Sequence, residues 1–212
     1  RTYPTAGAAP FAFAALDNPA PRVGIAARKT LQALPSESVL PELRSRLRSE
    51  TSAPVVTALE ILAQRGQSET LADAAALLAD NRADVRGTAL KAYATIAGVR
   101  GIPELVKQLN GASEAVTAQV TAALTGLEGP DIASEISKLL ATAPANAKVA
   151  LMQLLVRKAS VSQADAIASL LASSDASVVQ AAAVALGALG NRDHFDRIVT
   201  MLQSTPDEGL SK

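Results

Sequence analysis

Cysteine and tryptophan are both absent from this 212-residue chain, and aromatic residues make up only 2% of it. Without Cys there is no disulfide framework and no thiolate metal site, although exported proteins can lack Cys too, so the compartment stays open. The single histidine, His194, has no Cys or second His with which to share a transition-metal ion. It is expected to be a surface or capping residue. No Gly-rich phosphate loop is present, and no Ser-His-Asp set can be assembled away from that terminus. Charge cancels as well: 20 Lys and Arg stand against 20 Asp and Glu. No strong field therefore draws the chain toward nucleic acid or anionic lipid. Its apolar runs fall short of the ~20 residues a membrane-spanning helix needs. Arg1 is not an initiator Met and no signal-peptide pattern follows it, so a processed or excised start is expected.

What is present is Ala and Leu in a strict order. In the stretch from Asn81 to Gly98, residues Val85, Ala89, Tyr93 and Ile96 fall on one helical stripe. A shift of 31 residues reproduces that stripe without insertion. The column through Val85 reads Val23, Pro54, Val85, Val116, Ala147, Val178. Four residues on stand Ala27, Ala58, Ala89, Val120, Leu151 and Ala182, and four further Leu31, Leu62, Tyr93, Leu124, Leu155 and Leu186. Internal repetition of this kind decides the fold class before anything else does.

A second helix precedes each of these and carries the column Leu16, Leu47, Leu78, Leu109, Leu140, Leu171, Leu202. Upstream run Leu43, Ala74, Leu105, Ile136, Ile167, Ile198 and Leu40, Leu71, Ile102, Ala133, Ala164, Phe195. Spacings of three and four make a helical stripe, where a strand would alternate. Between the helices lies a column of turn and cap formers, Asn18, Ser49, Asp80, Gly111, Thr142, Ser173 and Ser204. Each repeat is thus a helical hairpin. Pro41, Pro103 and Pro130 are expected at helix starts, and Thr70 with Asp73 and Ser162 with Asp165 have the spacing of a capping box.

The predicted fold is all-α, an α-solenoid in which about six helical hairpins stack antiparallel into a superhelix. Residues 1–17 are expected to form a partial capping helix, with Tyr3, Phe11 and Phe13 covering the end of the stack. Residues 18–203 make the repeat array. The tail, 204–212, aligns with the opening of the preceding inner helix and reads as an interrupted repeat. Both ends break a repeat, so the chain is expected to be a fragment of a longer array or to be capped by something else.

The segments DVRGTALKAYA (Asp84 to Ala94) and VVQAAAVALGALG (Val178 to Gly190) resemble the HEAT repeat family, in particular its short bacterial form. The resemblance covers roughly residues 10 to 210. The basic position after the Val is filled only by Arg86 and Lys148, with Gly24, Val55, Thr117 and Val179 elsewhere. The hydrophobic columns, and not a polar ladder along that column, are therefore expected to hold the stack.

The resemblance implies that the second helix of each hairpin lines a concave side. The solvent stripe on those helices then supplies the candidate partner-binding residues: Arg22 and Lys29, Glu60 and Gln64, Asp84, Thr88 and Lys91, Gln119, and Gln153 with Arg157. This surface is mixed and small, and it grows more apolar toward the C-terminus through Ala181 and Val184. The expected function is a non-catalytic, protein-binding scaffold whose concave face takes a protein or peptide, with no cofactor, metal, nucleic acid or membrane involved. The alternative is a repeat segment of a larger enzyme or receptor. Self-association through uncapped terminal repeats is a further expectation, resting on Phe195, Ile198 and Leu202. Two charge features have simpler accounts. The acids Glu42, Asp73, Glu104 and Glu135 share one column and suit helix first turns. The cluster of Arg22, Arg28, Lys29, Arg44, Arg46 and Arg48 is interleaved with acids and reads as a solvated face.

Overall fold

The computed structural model describes residues 6–204, and among them the chain is all-helical, with 77% helix and no strand. It divides into two compact units, residues 1–98 and 99–212. The first unit holds α1 (Ala9–Leu16), α2 (Pro21–Ala33), α3 (Ser36–Arg46), α4 (Ser52–Arg65), α5 (Leu71–Ala75) and α6 (Ala83–Ala97). Within it α1 packs on α2, α3 on α4 and α5 on α6, while α4 also packs against α2 and α6. The second unit holds α7 (Ile102–Lys107), α8 (Glu114–Thr125), α9 (Ile132–Leu140), α10 (Ala145–Arg157), α11 (Ala164–Ala168), α12 (Ala176–Leu189) and α13 (Arg192–Ser204). The same rule holds there: α7 on α8, α9 on α10 and α11 on α12, with α10 also against α8 and α12. Even-numbered helices are called inner below, and odd-numbered ones outer.

The periodic columns are what this packing buries. Ala27, Ala58, Ala89, Val120, Leu151 and Ala182 are all inaccessible or nearly so, as are Leu31, Leu62, Tyr93, Leu124, Leu155 and Leu186. Ala takes four of the six places in the first column, and Leu or Tyr every place in the second. Burial of each Leu stabilises by about 1.5–3 kcal/mol. The column through Val85 is weaker at its start, where Val23 is exposed. In the outer-helix column Leu78, Leu109 and Leu140 are buried, and Leu16, Leu47 and Leu171 partly so. Tyr3, the side chain of Leu202 and the tail beyond Ser204 lie outside the described residues.

At four of its seven places the turn column acts through one recurrent hydrogen bond. Asn18 Oδ1 accepts from the amide of Ala20 at 2.9 Å, Ser49 Oγ from Thr51 at 3.3 Å, Asp80 Oδ1 from Arg82 at 2.8 Å and Ser173 Oγ from Asp175 at 3.2 Å. In each case a side chain two residues ahead mimics a backbone turn and leads the chain from an outer to an inner helix. At Asp80 the Arg82 guanidinium reinforces the turn and donates onward to the carbonyls of Ser49 and Glu50, at 3.0 and 3.2 Å. The hydrogen bonds from Arg82 hold the Asp80 carboxyl down at about 2.

A polar link between repeats does exist, but in a column the sequence left unmarked. Arg65, at the end of α4, reaches back to the end of α2. There its guanidinium donates to the carbonyls of Leu31 (2.6 Å), Gln32 (3.2 Å) and Leu34 (3.0 Å) and to Ser36 Oγ (3.0 Å). Lys158, three periods later, does the same for α8, donating to the carbonyls of Thr125 and Leu127 at 3.2 and 2.8 Å. Carbonyls at a helix C-terminus lack intrahelical donors, so a cation from the next inner helix caps them. The residue after each cation takes the left-handed conformation, Gly66 at φ 62° and Ala159 at φ 50°.

Four local expectations are corrected. Thr70 does not cap α5; its buried hydroxyl donates backward to the Gln67 carbonyl at 2.7 Å, and Asp73 pairs with Arg44 instead. Ser162 likewise caps nothing, because α11 is entered through a 3₁₀ turn, Val161–Gln163. Pro41 sits inside α3 and not at its start, since the Pro35 carbonyl accepts from both the amide and the hydroxyl of Ser38 and begins the helix early. Finally, Phe13 is buried in the core with Leu31, Leu43 and Leu62 and lies under Arg46, but Phe11 is 79% exposed and belongs to no core cluster among the described residues.

Candidate functional site

The solvent stripe expected on the inner helices, which on α10 runs Asn146, Ala150, Gln153 and Arg157, is largely exposed or half-buried; the exception is Ala150, which is buried. In the first unit, however, several candidate residues are engaged in the fold. Glu60 forms an ion pair with Arg28, and Gln64 is hydrogen-bonded to Gln32, so both tie α4 to α2. Asp84 accepts from Ser52 Oγ at 3.1 Å and from the Val85 amide at 2.9 Å, which ties α6 to α4. The Thr88 hydroxyl donates to the Asp84 carbonyl at 2.8 Å within α6. Arg22 and Lys29 on α2 and Lys91 on α6 are exposed.

In the second unit Gln119 on α8 is half-buried, while Gln153 and Arg157 on α10 are exposed and stand together. They belong to one wall of a groove of about 500 Å³ between α10 and α12. The α10 wall is Val149, Gln153, Val156 and Arg157; the α12 wall is Ser177, Gln180, Ala181, Val184 and Ala185. Val184 is 70% exposed, an unusual position for a Val on a packed helix. None of the other candidate residues lines this groove. Gln180 and the flanking Val149 and Val156 were not among the candidates. They sit one position off the stripe and became lining only because the groove is wider than a single helical row.

The geometry of α12 is set at its start. Asp175 accepts from the amides of Ser177 (2.9 Å) and Val178 (3.2 Å) and from the Ser177 hydroxyl (2.5 Å), an N-cap that satisfies two of the free amides. The Ser177 hydroxyl and these amides hold the Asp175 carboxyl below the usual carboxylate range. No hydrogen bond or ion pair to another described residue engages Gln153, Gln180 or Arg157. The groove lining holds one charge, the Arg157 guanidinium, and no carboxylate.

The other chemistry-bearing features are accounted for inside the fold. His194 is buried, not at the surface, and it does act as a cap. Its Nδ1 accepts from the Asn191 amide at 3.1 Å, while Asn191 Oδ1 accepts from the His194 amide at 3.2 Å. Because a backbone N–H can only donate, Nδ1 carries the lone pair and Nε2 the proton, which is directed to Asp165 Oδ1 at 3.1 Å. The acidic column is paired with neighbouring cations: Glu42 with Arg46, Asp73 with Arg44, Glu104 with Lys107 and Glu135 with Lys138. Of the basic cluster, Arg28, Arg44 and Arg46 are held by acids of the fold. Among the described residues no three His, Asp or Glu side chains come together as a metal-ligand group. No described helix is long and apolar enough to cross a membrane.

No family model and no curated protein matches the chain. Among solved structures it is similar to two engineered proteins from the Northeast Structural Genomics Consortium. One is 20% identical, over 85% of this chain and 96% of that one, with a TM-score of 0.40. The other is 21% identical, over 92% of this chain and 61% of that one, also with a TM-score of 0.40.

Proposed function

We propose that the chain is a HEAT-like α-solenoid acting as a non-catalytic scaffold, which holds a protein or peptide partner on the face formed by its inner helices. The observation that carries this reading is the groove between α10 and α12. There an exposed Val and three polar side chains without hydrogen-bond or ion-pair partners among the described residues line one depression. At comparable positions in the first unit Glu60, Gln64 and Asp84 are tied down, while Arg22, Lys29 and Lys91 are exposed but line no such groove. Supporting it, the recurrent columns bury one side of every inner helix and leave the opposite stripe open in both units, the pattern by which repeat arrays present an extended binding surface.

Selection from a phage-displayed library of random peptides on the intact chain tests this. Selected peptides are expected to lose binding to Val184→Asp, a change at an exposed site that leaves helix content intact. A library that yields no binder, or only binders indifferent to that substitution, overturns the assignment of the site.

A second reading rests on α13, where Phe195 is 58% and Val199 42% exposed although Ala164 and Ala168, their counterparts one period earlier, are buried. This is self-association through the terminal outer helix. Sedimentation of the wild type and of Phe195→Glu over a wide concentration range tests it: a wild type that stays monomeric removes it.

A further inference from the structure

The groove between α10 and α12 also points to the chemistry of its occupant, and this step rests on the function just proposed. We infer that it takes an extended peptide segment in which an aliphatic side chain is neighboured by an Asp or Glu, the carboxylate meeting Arg157.

Three features of the groove carry the inference. Val149, Val156 and Val184 give both walls an aliphatic surface, and no aromatic ring stands among the lining residues. An aliphatic side chain therefore fits between them better than an aromatic one that would seek a stacking partner. Gln153 and Gln180 face the groove from opposite walls. A primary amide offers a donor and an acceptor, the same pair a peptide unit offers, so each can hydrogen-bond main chain without regard to its side chains. From Val149 to Val156 the α10 wall runs about 10 Å at 1.5 Å per residue, and extended chain covers that in roughly three residues.

The charge decides the sign of the partner. Arg157 is exposed, unpaired within the described residues and the only ionised side chain in the lining. Its planar fork matches a carboxylate bidentately. The anion is assigned to a side chain and not to a chain terminus. Terminal carboxylates are typically held by clustered backbone N–H groups, and the amides along this groove are committed, that of Ser177 to the Asp175 carboxylate and the rest within their helices.

Fluorescence anisotropy on the intact protein tests this with three labelled, C-terminally amidated probes, Gly-Gly-Leu-Xaa-Leu-Gly-Gly, where Xaa is Glu, Gln or Lys. The Glu probe is expected to bind about 3- to 5-fold more tightly than the Gln probe, the scale of a solvent-exposed ion pair, and the Lys probe more weakly still. Arg157→Gln is expected to abolish the Glu-over-Gln preference while leaving the circular dichroism unchanged, and added salt to narrow it. Equal binding of all three probes, a preference that survives Arg157→Gln, or no saturable binding of the Glu probe overturns the inference. In those cases library-selected peptides that still depend on Val184 but carry no acid leave the scaffold function standing with a different ligand. Absence of any Val184-dependent peptide sinks both.

Discussion

Ala159 is the sharpest place to test the repeat as a physical object. It occupies the left-handed region at φ 50°, just past the end of α10, and it is exposed, so its methyl group gains little from packing. An L-residue in that region costs about 1–2 kcal/mol relative to the right-handed form. Glycine removes that cost but loses more unfolded-state entropy, about 0.4–1 kcal/mol. Ala159→Gly is therefore expected to stabilise by about 1 kcal/mol. The reciprocal change is available three periods earlier, where Gly66 has φ 62° and open space around the position a Cβ would take. Gly66→Ala is expected to destabilise by about the same amount, from strain alone and without a clash. Urea unfolding followed by far-ultraviolet circular dichroism measures both, the chain having no Trp to report by fluorescence. An Ala159→Gly protein no more stable than wild type, or a Gly66→Ala protein no less stable, refutes the equivalence of the two corners.

Arg65→Ala removes the donor to three carbonyls at the end of α2 and to the Ser36 hydroxyl that opens α3, with an expected loss of about 2 kcal/mol and faster hydrogen exchange in the last turn of α2. Arg65→Lys should recover part of this, because Lys158 does the same work at α8. Asp80 has a folded pKa depressed to about 2 from 3.8. The unfolded state therefore binds more protons between those values, and the stabilisation is present above the unfolded pKa and lost as pH falls through the folded one. Asp80→Asn should accordingly be less stable than wild type near neutrality, with the gap shrinking from about pH 4 toward pH 2 in acid titrations of the two proteins. A gap that widens in acid reverses that assignment. At Gly190 an added Cβ would lie 2.5 Å from the Leu186 carbonyl oxygen and 3.1 Å from His194 Cβ. Gly190→Ala is therefore expected to cost about 1–3 kcal/mol and to speed hydrogen exchange at the start of α13.

The alternation of two helices per period was legible because one period carried both the buried columns and the turn residues. Val85, Ala89 and Tyr93 read as a buried stripe and are one, and Asn18, Ser49, Asp80 and Ser173 read as turn formers and make the same bond four times. The outer helices were less legible. Around Thr70 and Gln163 a spacing of three suits a 3₁₀ turn as well as an α-helix, and the competing bond from Thr70 to the Gln67 carbonyl cannot be seen in a linear pattern. The cross-repeat reach of Arg65 and Lys158 was invisible for a different reason. Each looks like an ordinary basic residue ending a helix, and the carbonyls it caps belong to the helix one period earlier. At the candidate site, Gln153 and Arg157 were marked by the stripe, but Gln180 needed the neighbouring wall. Glu60, Gln64 and Asp84 looked equally available until their partners 32 residues away came into view.

The central claim is that 31-residue units are interchangeable in packing and distinct in what their inner helices present. Excision of Asn146 through Ala176 joins Ala145 to Ser177 in register. It sets Ala118, Ala122, Thr125 and Gly126 where Val149, Gln153, Val156 and Arg157 stood one period later. The shortened protein is predicted to keep its helical circular dichroism and a cooperative melt while losing the library-selected peptides, and removal of two residues fewer should abolish the fold. An in-register deletion that unfolds, or one that stays folded and still binds those peptides, contradicts the account.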